Sequence, residues 1–168
     1  MPPLAGNELV DVIDANGNTV RVVTRQQMRE NNLPHRCTYV LVFNSRGELF
    51  VHQRTPLKDV YPLYWDVCVG GVVTAGESFD ESVVREVREE IGVDAPVEKL
   101  FPFHYQDERT FAHGMVYRAV HDGPFRLQPE EVLHGEFASL AEVLRRIESQ
   151  PFCPDGVLVL RTYLQKYA

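Results

Sequence analysis

Residues 71–93 read GVVTAGESFDESVVREVREEIGV, and the reading of this stretch decides the fold. Ser78 and Glu81 form an S-x-x-E capping box that opens a helix. Val83, Val84, Val87 and Ile91 recur at helical spacing and give it an apolar face. Gly92 follows as the residue that stops it. Glu86, Glu89 and Glu90 stand at i, i+3 and i+4, so their carboxylates project from one side of the rod. Like charges at that spacing cost about 0.2–0.5 kcal/mol per pair. A sequence that accepts this cost has a counter-charge available, and a hard divalent cation, which prefers carboxylate oxygen, is the first candidate. Alone, an acidic helix of this kind reads as a solvated face with salt bridges. The glycines, the outlying Glu77 and the apolar run upstream move the reading toward a site.

Working outward, residues 64–69 form an apolar run that reads as a buried strand and ends at Gly70 and Gly71. These two glycines let the backbone approach a phosphate or a metal closely, because no side chain stands in the way. Gly76-Glu77 makes a turn into the helix. The unit is therefore strand, glycine loop, helix, with the acidic face turned to a cleft. Glu77 and Arg85 are expected to pair and hold loop to helix.

Spelled out, the pattern is Gly, five residues, Glu, seven residues, then Arg-Glu-apolar-x-Glu-Glu-x-Gly-apolar. Gly71, Glu77, Arg85, Glu86, Val87, Glu89, Glu90, Gly92 and Val93 fill every fixed position. This resembles the Nudix box, the mark of the Nudix hydrolases. The resemblance implies an α/β (α+β) fold with a mixed β-sheet between helices. It also implies cleavage of a diphosphate bond joined to some group X, with Mg²⁺ or Mn²⁺ as cofactor. Carried onto this chain, the pattern makes Glu86, Glu89 and Glu90 the metal ligands and catalytic groups, one of them as the base, with the Gly70 backbone beside the metal. Divalent ions reconcile clustered carboxylates with a polyanionic substrate by bridging their oxygens and lowering the pKa of a bound water.

With 168 residues and 44% hydrophobic content, the chain suits one soluble domain with a core of its own. Its net charge of −7 argues against a nucleic acid polymer or an anionic membrane as partner. A small-molecule diphosphate remains open, since a metal would hold it. No apolar run is long enough to span a bilayer, and no basic, apolar leader opens the sequence. Cys37, Cys68 and Cys153 make an odd count without metal-type spacing, which reads as a reducing cytoplasm.

Residues 1–168 read as one domain, with 1–7 as a loose tail and 8–33 as an N-terminal β-hairpin and short helix. Strands at 9–13 and 19–23 flank Asn16-Gly17-Asn18, and Thr24 caps a helix at 25–31. Further strands are expected at 37–43, 49–53, 97–104 and 115–121, with a polar tip at 106–114 between the last two. Residues 135–138 are expected to lead into a helix at 140–147. Pro151 and Pro154 break that helix before a last one at 157–167. The hairpin is a candidate surface for a homodimer.

Outside the box, residues 10–14, Thr24-Arg25, residues 33–36, residues 43–49 with Gln53-Arg54, and residues 128–132 with 140–143 are similar to isopentenyl-diphosphate isomerase and its hydrolase relatives. Three departures set the isomerase aside. Gly70 stands where the isomerase has its catalytic cysteine, and Gly71 replaces a metal-binding histidine. No glutamate falls near residues 114–117, where two are expected. The chain is read as a hydrolase on an isomerase-like frame. As substrate contacts the sequence offers His35, Arg54, Lys58 and Glu131, each weighed against an ordinary surface or packing role. Glu130 and Glu136 are weaker acidic candidates. Tyr61, Tyr64, Phe103, Tyr105 and Phe111 are candidates to stack on X.

Overall fold

The computed structural model describes residues 5–167. Residues 1–4 of the expected tail lie outside them, while Ala5–Asn7 wind into a 3-10 turn. Strands β1 (Leu9–Ile13) and β2 (Thr19–Thr24) form the expected hairpin as a separate two-stranded sheet. Helix α1 (Arg25–Glu30) follows at once. The Thr24 side chain accepts from Gln27 N–H while the Gln27 side chain accepts from Thr24 N–H, so two otherwise orphaned donors are satisfied.

Six strands build the main sheet: β3 (His35–Phe43), β4 (Leu49–Arg54), β5 (Trp65–Asp66), β6 (Val97–Gln106), β7 (Phe111–Val120) and β8 (Val132–Ala138). β3 and β7 run parallel in register from His35–Ala112 to Phe43–Val120, and the other pairings are antiparallel. The sheet is therefore mixed, as expected. Helices α2 (Phe79–Ile91), α3 (Leu140–Ser149) and α4 (Pro154–Tyr167) complete the order.

Alternation along β3 explains the layers. Cys37, Tyr39, Leu41 and Phe43 point into a core closed by Met28 of α1, Val143 of α3 and Val159 and Leu160 of α4. Val40 and Val42 point to the other side, against Val83, Val87 and Ile91 of α2. Both faces of the strand are buried, so its sequence is nearly continuous apolar residues. Each fully buried Val or Leu contributes about 1.5–3 kcal/mol. Val84, assigned to the apolar face from spacing, is 46% exposed and lies at the border of the stripe.

Several expectations need correction. The apolar run at 64–69 is not one strand. β5 covers only Trp65–Asp66, and the chain then kinks, touching β3 through single bridges at Val40–Val69 and Cys37–Val72. The reason is a gap in the sheet: β3 and β4 are joined only at Phe43–Leu49 and then separate. The glycine segment fills that gap, with Gly70 at φ +139°. Second, residues 132–138 do not merely lead into a helix. They form β8, paired along β4 from Leu49–Ala138 to Arg54–Val132. Exposed Leu133 and the central Gly135 hide this edge strand from pattern reading. Third, the tip between β6 and β7 is short: Phe111–Gly114 belong to β7, and Pro154 begins α4, where its missing N–H costs nothing.

The hairpin reaches the box. Ala75 N–H donates to Leu9 O at 2.8 Å, and Asp11 accepts from Gly76 N–H at 3.0 Å and from Arg36 at 2.8 Å. The N-terminal extension thus pins the glycine loop rather than hanging free.

Candidate active site

Helix α2 begins at Ser78, which accepts from Glu81 N–H while Glu81 accepts from Ser78 N–H. It ends at Gly92, whose φ of +72° favours glycine. With both ends fixed, the rotation of its acidic side is fixed too. The three glutamates do not share one environment. Glu90 is buried, at 6% exposure, and its carboxylate accepts from Gly70 N–H at 3.3 Å. The Glu86 side chain is 12% exposed and faces Gly71, where an added Cβ would come within 3.2 Å of the carboxylate. Glu89 is 48% exposed and is drawn to Arg85 at 3.1 Å. Arg85 Nη1 reaches Glu86 and Glu89 together, so these carboxylates share one side of the helix, with Glu89 on its solvent flank.

Arg85 organises that flank. Its Nε and Nη2 donate to the two oxygens of Glu77 at 2.9 Å each, and its Nη1 donates to Glu86 and Glu89 at 3.1 Å. These bonds hold Glu77 below the usual carboxylate range. Burial acts oppositely on the inner pair. It pushes Glu86 up to about 7, with Arg85 only partly opposing and Glu89 adding repulsion. It pushes Glu90 well above its ordinary value, with the Glu86 charge adding to the effect.

Beside the glycines lies a narrow cavity lined by Arg25, Arg29, Arg54, Lys58, Asp66 and Asp155. Gly70, Gly71 and Thr38 form its border with the α2 site. Of the sequence candidates, Arg54 and Lys58 do face it. Glu86 and Glu90 do not line it and meet it only through the two glycines and Lys58. Lys58 is ion-paired with Glu131, and both exert their charge on Glu86 and Glu90. The loop carrying Glu131 is tied to the end of α2 through Gln128 N–H to Glu90 O at 3.0 Å. Glu130 contributes its carbonyl, accepting from the Thr55 hydroxyl at 2.8 Å, and Glu136 pairs with Arg146 at 3.2 Å outside the cavity.

His35 does not line the cavity. It is fully buried, its Nδ1 lies 2.9 Å from Leu33 O, and burial lowers its pKa to about 3, so it stays neutral. Of the aromatic candidates, Phe103 is buried edge-on against Tyr39, and Tyr61 is buried and bonded to Asp107, so neither offers a free face. Sequence reading missed Arg25, Arg29, Asp66 and Asp155. Arg25 and Arg29 stand one helical turn apart on α1, and Asp66 is a lone acid in an apolar run, which are the available signals. Burial, with Asp155 nearby and Arg54 only partly opposing, raises Asp66 to about 7.

Among the described residues, no three His, Cys, Asp or Glu side chains form a ready-made metal cage. The donor set still suits a hard cation: the carboxylates of buried Glu90 and largely buried Glu86, at i and i+4, beside glycine backbone. Among the described residues, the Glu90 carboxylate has one hydrogen-bond donor, the Gly70 backbone N–H.

Comparison with known proteins adds to this geometry. The NUDIX domain model matches residues 33–155. An uncharacterized Nudix hydrolase of Pseudomonas aeruginosa is 39% identical over 158 residues, covering 94% of each chain. The uncharacterized Nudix hydrolase YfcD of Escherichia coli is 33% identical over 166 residues, covering 98% of this chain and 91% of its own. The crystal structure of DR0079 from Deinococcus radiodurans superimposes with a TM-score of 0.80 at 26% identity, over 93% of this chain and 99% of that one.

Proposed function

This chain belongs to the Nudix family and is a pyrophosphohydrolase, and on that premise we propose that it cleaves a nucleoside diphosphate-X or related small-molecule diphosphate with Mg²⁺ or Mn²⁺. The observation that carries the metal reading is the pairing of buried Glu90 and largely buried Glu86 with glycine backbone. Burying two carboxylates side by side is costly unless a cation joins them. Glu86, Glu90 and the Gly70 backbone would hold the ion, with Glu89 joining them on leaving Arg85. When bound, the ion supplies Lewis acidity toward a phosphoryl oxygen and toward water.

The remaining groups position and balance charge. Water adds to one phosphorus, the anhydride P–O bond breaks, and the bridging oxygen leaves with the electron pair. Glu86 or Glu90, ionised, takes the proton of that water. Lys58 and Arg54 face the phosphate charge, and Glu131 aims Lys58. Arg85, fanned between Glu77 and the helix, keeps the glycine loop against α2. The N-terminal likeness to isopentenyl-diphosphate isomerase is a likeness of frame, since Gly70 carries no thiol.

The test is a product-release assay, read by chromatography, over nucleoside diphosphates, nucleotide sugars, dinucleotides and isoprenoid diphosphates with either metal. Turnover is expected with the wild type and loss of about a thousandfold with Glu90→Gln. Equal release by wild type and variant would remove the assignment of Glu90.

A further inference from the structure

The cavity beside Gly70 and Gly71 is small and rich in cations. Its volume is about 70 Å³. At roughly 15 Å³ per water-sized site it holds about five such atoms, the size of a phosphoryl group. Buried Cys37, Tyr39 and Cys68 close it inward. Glu8, Asp59 and Glu131 pair with three of its four basic side chains, and two acidic side chains line it as well. Those acids are also tied back: Asp155 accepts from the Tyr39 hydroxyl at 3.0 Å, and Asp66 accepts from Cys68 N–H at 3.1 Å.

The cations differ in how fully they are used. Arg25 is bonded to Asp59 and Glu8. Arg54 donates from Nε and Nη2 to Val60 O. Lys58 is held by Glu131. Arg29 gives Nε to Asp59 and Nη1 to the Thr110 hydroxyl, both at 3.1 Å, which leaves its Nη2 without a protein acceptor among the described residues. Arg29 also precedes residue 33, where the family match begins. The N-terminal extension therefore brings a guanidinium with an uncommitted Nη2 to a cavity whose other border belongs to the box.

We propose that this cavity is a blind seat for a terminal phosphoryl group, that the substrates carry one unsubstituted phosphate end, and that Arg29 is a specificity-determining cation of the seat. This rests on the hydrolase reading and narrows it. A nucleoside or alkyl diphosphate or a nucleoside triphosphate presents such an end, whereas a nucleotide sugar or dinucleotide is substituted on both sides. Guanidinium and phosphoryl groups pair through charge-assisted, bidentate hydrogen bonds, which a lysine reproduces only in part.

Two measurements on the full chain decide it. In the first, kcat/KM with Mg²⁺ is compared for a nucleoside diphosphate and the corresponding nucleotide sugar. The wild type favours the diphosphate, and Arg29→Gln lowers that preference about tenfold, mainly through KM, with Arg29→Lys recovering part of it. In the second, calorimetry follows inorganic pyrophosphate binding to metal-free protein, with melting checked for each variant. Binding falls about tenfold in Arg29→Gln and partly returns in Arg29→Lys. If no compound is turned over yet pyrophosphate binding depends on Arg29, the hydrolase reading fails and the seat stands. If both substrate classes are hydrolysed with equal preference, or folded Arg29→Gln binds pyrophosphate as the wild type does, the seat is overturned while the hydrolase reading survives.

Discussion

Glu89 and Glu90 are adjacent in sequence and lie in opposite circumstances. Glu89 is half exposed and satisfied by Arg85, which also holds Glu77 and Glu86. Glu90 is buried behind Gly70 with a backbone N–H as its donor. The first is an ordinary surface ion pair, of the kind contributing about 0–1 kcal/mol. The second is a carboxylate whose charged form the protein disfavours. Residue type and helical spacing are shared, so the difference comes from what the loop before the helix places against each one. A glycine that admits a buried carboxylate, not the acidic run itself, marks the site.

That contrast can be broken at several points. The largest expected effect is on the inner pair: Glu86→Gln and Glu90→Gln each lower kcat about a thousandfold, while Glu89→Gln costs about tenfold, read in the same release assay. Equal losses at all three positions would erase the contrast. Next comes Gly71→Ala. Its Cβ at 3.2 Å from the Glu86 carboxyl displaces that group by a few tenths of an ångström, and activity falls about a hundredfold with the melting temperature nearly kept. Gly70→Ala separates site from fold: φ of +139° and a Cβ only 2.2 Å from Thr38 O predict a loss of stability, visible in thermal melting, as well as of activity. Arg85→Gln, acting on the exposed flank, costs about ten- to a hundredfold in activity by loosening the Glu77 loop.

The smallest effect is on pH dependence and lies in the neighbouring cavity. Asp66 faces Asp155, Arg54 and Cys153, and burial raises it to about 7. Its folded value lies above its unfolded one, so the stability it contributes is fully present below about pH 4 and is lost as pH rises through about 7. Asp155 is shifted in the same direction. Asp59, despite burial, is held low by Arg25 and Arg29, so its contribution is lost only on acidification. Asp66→Asn therefore flattens the decline of metal-free stability between about pH 4 and 7, by up to about 1.4 kcal/mol per pH unit, in urea melts at several pH values. An unchanged slope would show that Asp66 titrates normally.

The box and its helix were legible because several local signals agree there: a capping box, a 3.6-residue apolar stripe and a C-terminal glycine. The hairpin was legible for the same reason. β8 was not, since an edge strand with exposed Leu133 and a central glycine has no clean alternation. The break within residues 64–69 depends on the parting of β3 and β4, a long-range fact that no local pattern carries. Among site residues, the pairing of Lys58 with Glu131 spans 73 positions, and the approach of Arg29 to Thr110 spans 81. Such convergence is a property of the sheet, and it explains why single cations looked like solvated charges in the sequence. His35 shows the reverse: a residue attractive by position proves buried and neutral.

The central claim, that buried carboxylates at the end of a glycine loop collect a divalent ion, is tested most directly by manganese uptake. Electron paramagnetic resonance titration of free Mn²⁺ should show stoichiometric depletion by the wild-type chain, strong loss of uptake in Glu90→Gln, and only a modest change in Glu89→Gln. Uptake by folded Glu86→Gln and Glu90→Gln equal to that of the wild type would contradict the account.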